Sequence, residues 1–244
     1  MLYLWLALAG FLAFLISTVG GGGGSLILVP ILGFLIGVES VAPVVSLGTM
    51  IQRPVRLFLF WKFINWRVVK YYVPAAVVGG FLGAYLFSTT SVEWLQIILG
   101  LFLVSTIFQY RFGKKERSFP VEFWYFIPLG FGVAFFSGLV GATGPVLNPF
   151  YLNAGIDKEE MVGTKSASSF LVGLVKIGTY TLFGSLHGEL WLYGILIGVA
   201  ASLASYAGKR ILGQISSQTF RQVVIALMVI SGAVMIFRQL QGLL

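Results

Sequence analysis

The sequence predicts an all-α, polytopic membrane protein built from two inverted structural repeats of about five segments each, with short broken or re-entrant helices at its glycine-rich motifs. Three observations predict it. Only 10% of the 244 residues are charged and 58% are hydrophobic, with a mean hydropathy of +0.95. A soluble domain carries roughly 25% charged residues to solvate its surface, so the solvent here must be lipid. Apolar stretches near the length of about 20 residues that a bilayer requires recur from end to end, and motifs of the first half return in the second.

In chain order the first half offers apolar segments at 2–19, 25–38, 41–61, 71–88 and 92–110, and the second at 122–140, 145–154, 161–184, 190–207 and 219–240. No basic residue precedes Leu2, which argues for a retained first helix rather than a cleaved leader. Segments 25–38 and 145–154 are short for full spans and suit half-helices. Tyr and Trp gather at segment ends, among them Trp61, Trp66, Tyr71, Trp94, Trp124 and Trp191, as in an interfacial aromatic belt. The 31 glycines are nearly twice the average share of about 7%. In lipid they allow close helix approach, or breaks where backbone lines a cavity.

The repeat is visible residue by residue. Gly10-Phe11 returns as Gly130-Phe131, Ser17 as Ser137, Gly21 as Gly141 and Gly24 as Gly144; later, Ser91, Gln96 and Ser105 match Ser217, Gln222 and Ser231. A period of roughly 120–126 residues is too long for a solenoid and fits a transporter half. The chain divides into a first repeat at 1–110, a cytoplasmic linker at 111–121 and a second repeat at 122–244. Lys62, Arg67 and Lys70 flank one connection and Arg111, Lys114, Lys115 and Arg117 crowd the linker, which places both on the cytoplasmic side. If every segment crosses, the second half is inverted and Lys158, Lys209, Arg210 and Arg221 also face inward, leaving Arg238 misplaced.

Two glycine-rich breaks hold equivalent places: Gly20-Gly21-Gly22-Gly23-Gly24-Ser25 and Gly141-Ala142-Thr143-Gly144-Pro145. Each glycine costs a helix about 1 kcal/mol relative to alanine, so a new helix is expected near Ser25 and near Pro145. A helix N-terminus inside the membrane presents free N–H groups to an anion; close packing is the plain alternative. Arg53 and Arg56 lie inside the third segment, Lys165 and Lys176 inside the eighth, and no Asp or Glu lies deep in any segment. A charge at the bilayer centre costs at least about 2.5–3.5 kcal/mol and needs a partner, and here the missing partner is read as the substrate. Ser46, Thr49, Arg53 and Arg56 share one helix face, as do Lys165, Ser169, Gly173, Lys176 and Tyr180. Snorkelling to the interface is the competing reading, strongest for Lys165.

The expected substrate-binding set is therefore Arg53, Lys176, Arg56, Lys165, Gly22, Gly23, Gly24, Ser25, Thr49, Gln52, Thr143, Gly144, Asn148 and Ser169. Thr164, Ser166 and Ser168 could add neutral hydrogen bonds. No catalytic group, cofactor or metal is expected: cysteine is absent and His187 stands alone. A membrane-embedded enzyme is disfavoured because the interior lacks a His, Cys or carboxylate pair. Nucleic acid is an unsuitable partner despite the +8 charge, since no dense basic block stands outside the apolar segments. Asn65-Trp66-Arg67 reads as an interfacial anchor.

GFLAFLISTVGGGGGSLILVP at 10–30, paired with GFGVAFFSGLVGATGPVLNPF at 130–150, resembles the double signature of the sulfite exporter TauE/SafE family, also called the toluenesulfonate uptake permeases. The resemblance continues through Ser46-Leu47-Gly48-Thr49, Asn65-Trp66-Arg67 and Thr164-Lys165-Ser166, and so covers nearly the whole chain. It implies export of small sulfur-containing or organic anions such as sulfite, sulfonates or sulfoacetate, in the plasma or inner membrane of a prokaryote. With the broken helices it suggests alternating access around a cationic midplane site. An anion channel or a non-transporting membrane subunit is the alternative. The partners implied are a small anion and the bilayer; the sequence leaves the oligomeric state open.

Overall fold

A computed structural model of the chain describes residues 1–19, 24–89, 120–141, 143–156 and 158–214, with isolated positions 216, 218, 219, 222, 226 and 237. Segment 92–110, nearly all of 219–240, most of the linker 111–121 and glycines 20–23 lie outside the described residues. Among the described residues the structure is entirely helical: α1 (Leu2–Val19), α2 (Gly24–Ile36), α3 (Val38–Phe60), α4 (Trp66–Thr89), α5 (Phe126–Val140), α6 (Asn148–Asn153), α7 (Lys158–Leu182) and α8 (Leu190–Gln214). Short 3-10 turns at Trp61–Phe63, Phe123–Tyr125 and Gly144–Leu147 join them.

Among the described residues four stretches, Leu2–Val19, Trp66–Thr89, Phe123–Val140 and Leu190–Gln214, are long and apolar enough to cross a membrane. Only 33–44% of each is buried against protein, and the remaining faces show Trp5, Leu12, Phe81, Leu192 and Leu203 outward, a surface suited to lipid tails. α3 and α7 are as long, at 23 and 25 residues, but carry the intramembrane cations and pack against each other and their neighbours. α2, at 13 residues, is about 20 Å long and α6, at six, about 9 Å, both short of a hydrocarbon core of about 30 Å.

Side-chain contacts give the helix directions. α1 runs parallel to α8, since Tyr3 meets Tyr193, Gly10 faces Ile197 and Gly208 faces Thr18. α3 also parallels α8: Gly194 lies against Leu47, Gly198 against Ile51, and Lys209 donates to the Leu59 carbonyl at 2.7 Å. α4 parallels α5, with Tyr72 beside Gly130, Gly79 beside Phe131 and Gly138 beside Gly83 and Ala84. α7 runs with α4, from the Asn65–Glu160 bond to the Phe87–Tyr180 ring contact, and antiparallel to α3. So α1, α3 and α8 point one way and α4, α5 and α7 the other. Glycine makes the α4–α5 and α1–α8 seams possible, because a side chain there would strike the facing helix.

Three boundaries differ from expectation, each for a local reason. α4 starts at Trp66 rather than near 71, because the Asn65 side chain accepts the Val68 N–H at 3.3 Å and caps the helix. Asn65 also donates to Glu160 at 3.0 Å, so it ties α4 to α7 and does more than anchor at the interface. α8 continues through Gln214, turning part of the expected 208–218 loop into helix, because Gly208 and Lys209 pack on α1 and α3. After Gly141 the chain does not enter an α-helix at Pro145. It makes the 3-10 turn Gly144–Leu147, and α6 follows with Pro149 in its first turn, where a missing N–H is tolerated.

Candidate anion-binding cavity

Arg53 and Arg56 stand three residues apart on α3, so both project from one side of the helix. The α7 face carrying Lys165, Ser169 and Lys176 turns toward them. Between the two helices lies a cavity of about 120 Å³, lined by all four cations. One water needs roughly 10–15 Å³, so several heavy atoms fit. Neutral donors and acceptors come from Ser17, Ser25, Thr49, Gln52, Ser137, Thr143, Ser166 and Ser169, and an apolar wall from Phe14, Tyr72, Val133, Leu147 and Val172. No carboxylate lines it among the described residues.

The four cations are held differently. Arg56 is buried and donates from Nε to Ser205 Oγ at 3.1 Å. Its Nη2 donates to Thr18 Oγ1 at 2.6 Å, with longer approaches to Ser17 Oγ and the Phe14 carbonyl. Gln52 reinforces the node, donating to Ser205 Oγ at 2.6 Å and to the Ala201 carbonyl at 3.2 Å. Lys176 is buried and donates to both the carbonyl and the hydroxyl of Ser137, at 2.8 and 3.0 Å. Lys165 donates to Asn148 Oδ1. Arg53 makes no hydrogen bond to any described residue; its guanidinium lies over Gly173 and borders the cavity.

Lys165 is thus turned inward and does not snorkel, because Asn148 offers a carbonyl acceptor and the cavity offers room. Of the other expected residues, Ser25, Thr49, Gln52, Thr143 and Ser169 line the cavity. Gly24 packs against Ala13 and Ser17, where a Cβ would collide with α1. Asn148 stands behind Lys165, and Gly144 opens the 3-10 turn. Gly22 and Gly23 lie outside the described residues. Thr164 accepts the Asn65 N–H at 2.9 Å and Ser166 donates to its own helix at Val162, so both are committed to backbone. Gly141 adopts φ +80 and ends α5, its N–H returning to the Ser137 carbonyl at 3.0 Å. Thr143 donates to the Val133 carbonyl at 3.1 Å and folds the chain back over the cavity.

Sequence reasoning did not assign Tyr72, Ser137 or Ser205 to the site. Ser137 carried a signal, since it matches Ser17 just before the second break. Ser205 lies on the small-residue face Ala201-Ala204-Ser205-Gly208, whose spacing marks a close helix contact.

Membrane-spanning helices surrounding a cationic cavity with no carboxylate among the described residues of its lining define a multi-pass membrane protein suited to handling an anion. The family model for the sulfite exporter TauE/SafE matches residues 6–235. The chain belongs to that family, and so to a class of membrane transporters. No curated protein and no solved structure matches it.

Proposed function

We propose that this protein is a secondary transporter that exports small sulfur-containing or organic anions of the sulfite, sulfonate or sulfoacetate type by alternating access. The observation that carries the reading is the convergence of Arg53, Arg56, Lys165 and Lys176 on one cavity with no carboxylate among the described residues of its lining. A pyramidal or tetrahedral oxyanion presents several oxygens, which guanidinium and ammonium donors satisfy with short charge-assisted bonds. Ser25 and Ser169 supply neutral donors, Thr49, Gln52 and Thr143 give their hydrogens to neighbouring oxygens and shape the lining, and Phe14, Val133 and Leu147 bound the space on the apolar side.

The inverted-repeat reading of 1–110 and 122–244 is supported by direction. The counterparts α1 and α5, α3 and α7, and α4 and α8 each run opposite ways, as the contacts above require. The basic residues Lys62, Arg67, Lys70, Lys158, Lys209 and Arg210 fall at one end of these helices, together with Glu122, Glu159 and Glu160, and no described Lys or Arg falls at the other, where Glu39 and Glu189 lie. That asymmetry supports a cytoplasmic basic end. Two short helices, α2 and α6, follow the two breaks and fit the discontinuous elements of carriers.

Calorimetric titration of the purified protein with sulfite, sulfoacetate, taurine, sulfate and acetate tests the reading, followed by flux in liposomes. Binding of at least one sulfur oxyanion, weakened at least tenfold in Arg53→Ala, is the expected result. Absence of binding by all of them, or an unchanged Arg53→Ala, overturns it. Saturating flux identifies a carrier; flux linear in concentration identifies a channel.

A further inference from the structure

We infer a division of labour among the four cavity cations. Arg56 and Lys176 are positioning residues that clamp the last turns of the two broken helices, while Arg53, seated on Gly173, is the arginine that meets the anion. The Arg53 half rests on the proposed function; the clamp half does not.

The clamps are repeat counterparts in residue and in target. Arg56 and Lys176 lie 120 residues apart, as do Ser17 and Ser137. Arg56 reaches Ser17, Thr18 and the Phe14 carbonyl in the last turn and a half of α1. Lys176 reaches the Ser137 carbonyl and hydroxyl in the last turn of α5, and Tyr180, one turn further along α7, donates to the neighbouring Gly138 carbonyl. The C-terminal end of a helix carries partial negative charge, and although the Ser137 carbonyl already accepts the Gly141 N–H, a carbonyl oxygen has a second lone pair for a cation. A buried cation bonded near that end is stabilised by it and in turn fixes the turn in place. Each clamp comes from the third helix of its own repeat, so α3 holds α1 and α7 holds α5.

Arg53 is built for something else. Its repeat counterpart is Gly173, and the two lie against each other between α3 and α7, where a Cβ on residue 173 would collide with the guanidinium tip. The colliding atom is the far end of a flexible side chain, so a methyl there moves Arg53 and not the helices. Gly173 is therefore the specificity-determining position that sets where Arg53 points. Arg53 has no hydrogen bond to a described residue, whereas the Arg56 guanidinium is spread over Ser205, Thr18 and Ser17.

The test uses the full chain in detergent and two readouts that need no ligand. Under phenylglyoxal followed by mass spectrometry, Arg53 is expected to be modified at least tenfold faster than Arg56. In amide exchange, Lys176→Met should speed exchange at residues 138–141 at least tenfold and Arg56→Met should do so at 16–19. Lys176→Arg, which keeps charge and reach, should restore protection, and Arg53→Met should leave both turns protected. Gly173→Ala should also leave both turns protected while raising the dissociation constant for sulfite at least tenfold. Equal modification of the two arginines, or parental exchange in both clamp variants, overturns the assignment. If the parent binds none of the five anions the transport reading fails, and labelling and exchange still decide the clamps.

Discussion

Removing one hydroxyl from α8 should loosen the junction that holds Arg56 in place. Ser205 is fully buried; its Oγ donates to the Ala201 carbonyl at 2.9 Å and accepts from Gln52 at 2.6 Å and Arg56 at 3.1 Å. Ser205→Ala deletes the acceptor that both α3 donors share. A net hydrogen bond to a charged group is worth about 1.5–3 kcal/mol and a neutral one about 0.5–1.5 kcal/mol in proteins at large. Interhelical bonds measured within membranes average nearer 0.6 kcal/mol. Gln52 retains the Ala201 carbonyl and Arg56 retains Thr18, so part of the loss is recovered. The expected destabilisation is about 1–3 kcal/mol, from the two bonds together. The control is Ser202→Ala, whose hydroxyl donates to Gly198 within its own helix and which should stay within about 0.5 kcal/mol of the parent. Unfolding by SDS titration in mixed micelles measures both, and a cycle with Gln52→Leu isolates the coupling. If Ser205→Ala is no more destabilising than Ser202→Ala, the node does not hold α3 to α8 and the reasoning fails.

Gly141→Ala should destabilise by about 2 kcal/mol or more in the same unfolding assay, because φ +80 strains a side chain and the new Cβ would lie 2.7 Å from the Ala42 Cα; a neutral result would show that the α5 end relaxes freely. Single cysteines at Glu39 and Gly188 should label from outside the cell and one at Gly213 only from inside, read against a chain with no cysteine of its own; outside labelling at Gly213 would defeat the inverted arrangement. In liposomes, anion efflux should follow an imposed potassium-diffusion potential with no pH gradient. Each negative charge moved outward across 100 mV releases about 2.3 kcal/mol, enough for roughly a fifty-fold gradient. Efflux that follows only a proton gradient would instead require a proton-coupled route.

The sequence by itself determined the lipid environment, the helical class and the cations that would meet. Arg53, Arg56, Lys165 and Lys176 are legible because an intramembrane charge without an acidic neighbour is costly wherever it folds, and helical spacing alone puts the first two on one face. The internal likeness of the two halves is legible too, since Ser17 and Ser137 each precede a glycine-rich stretch. Only the tertiary structure decided what each cation touches. Lys165 reads as a snorkelling residue until Asn148 is found beside it, and Arg56 and Arg53 look equivalent until Ser205 and Thr18 approach one and Gly173 the other. Asn65 reads as an anchor until Thr164 and Glu160 of α7 receive it. The physical reason is the same in each case. Hydropathy and helical period are properties of one segment and are written locally, whereas a hydrogen-bond partner is supplied by another helix 17 to 149 residues away along the chain, and no local pattern records it.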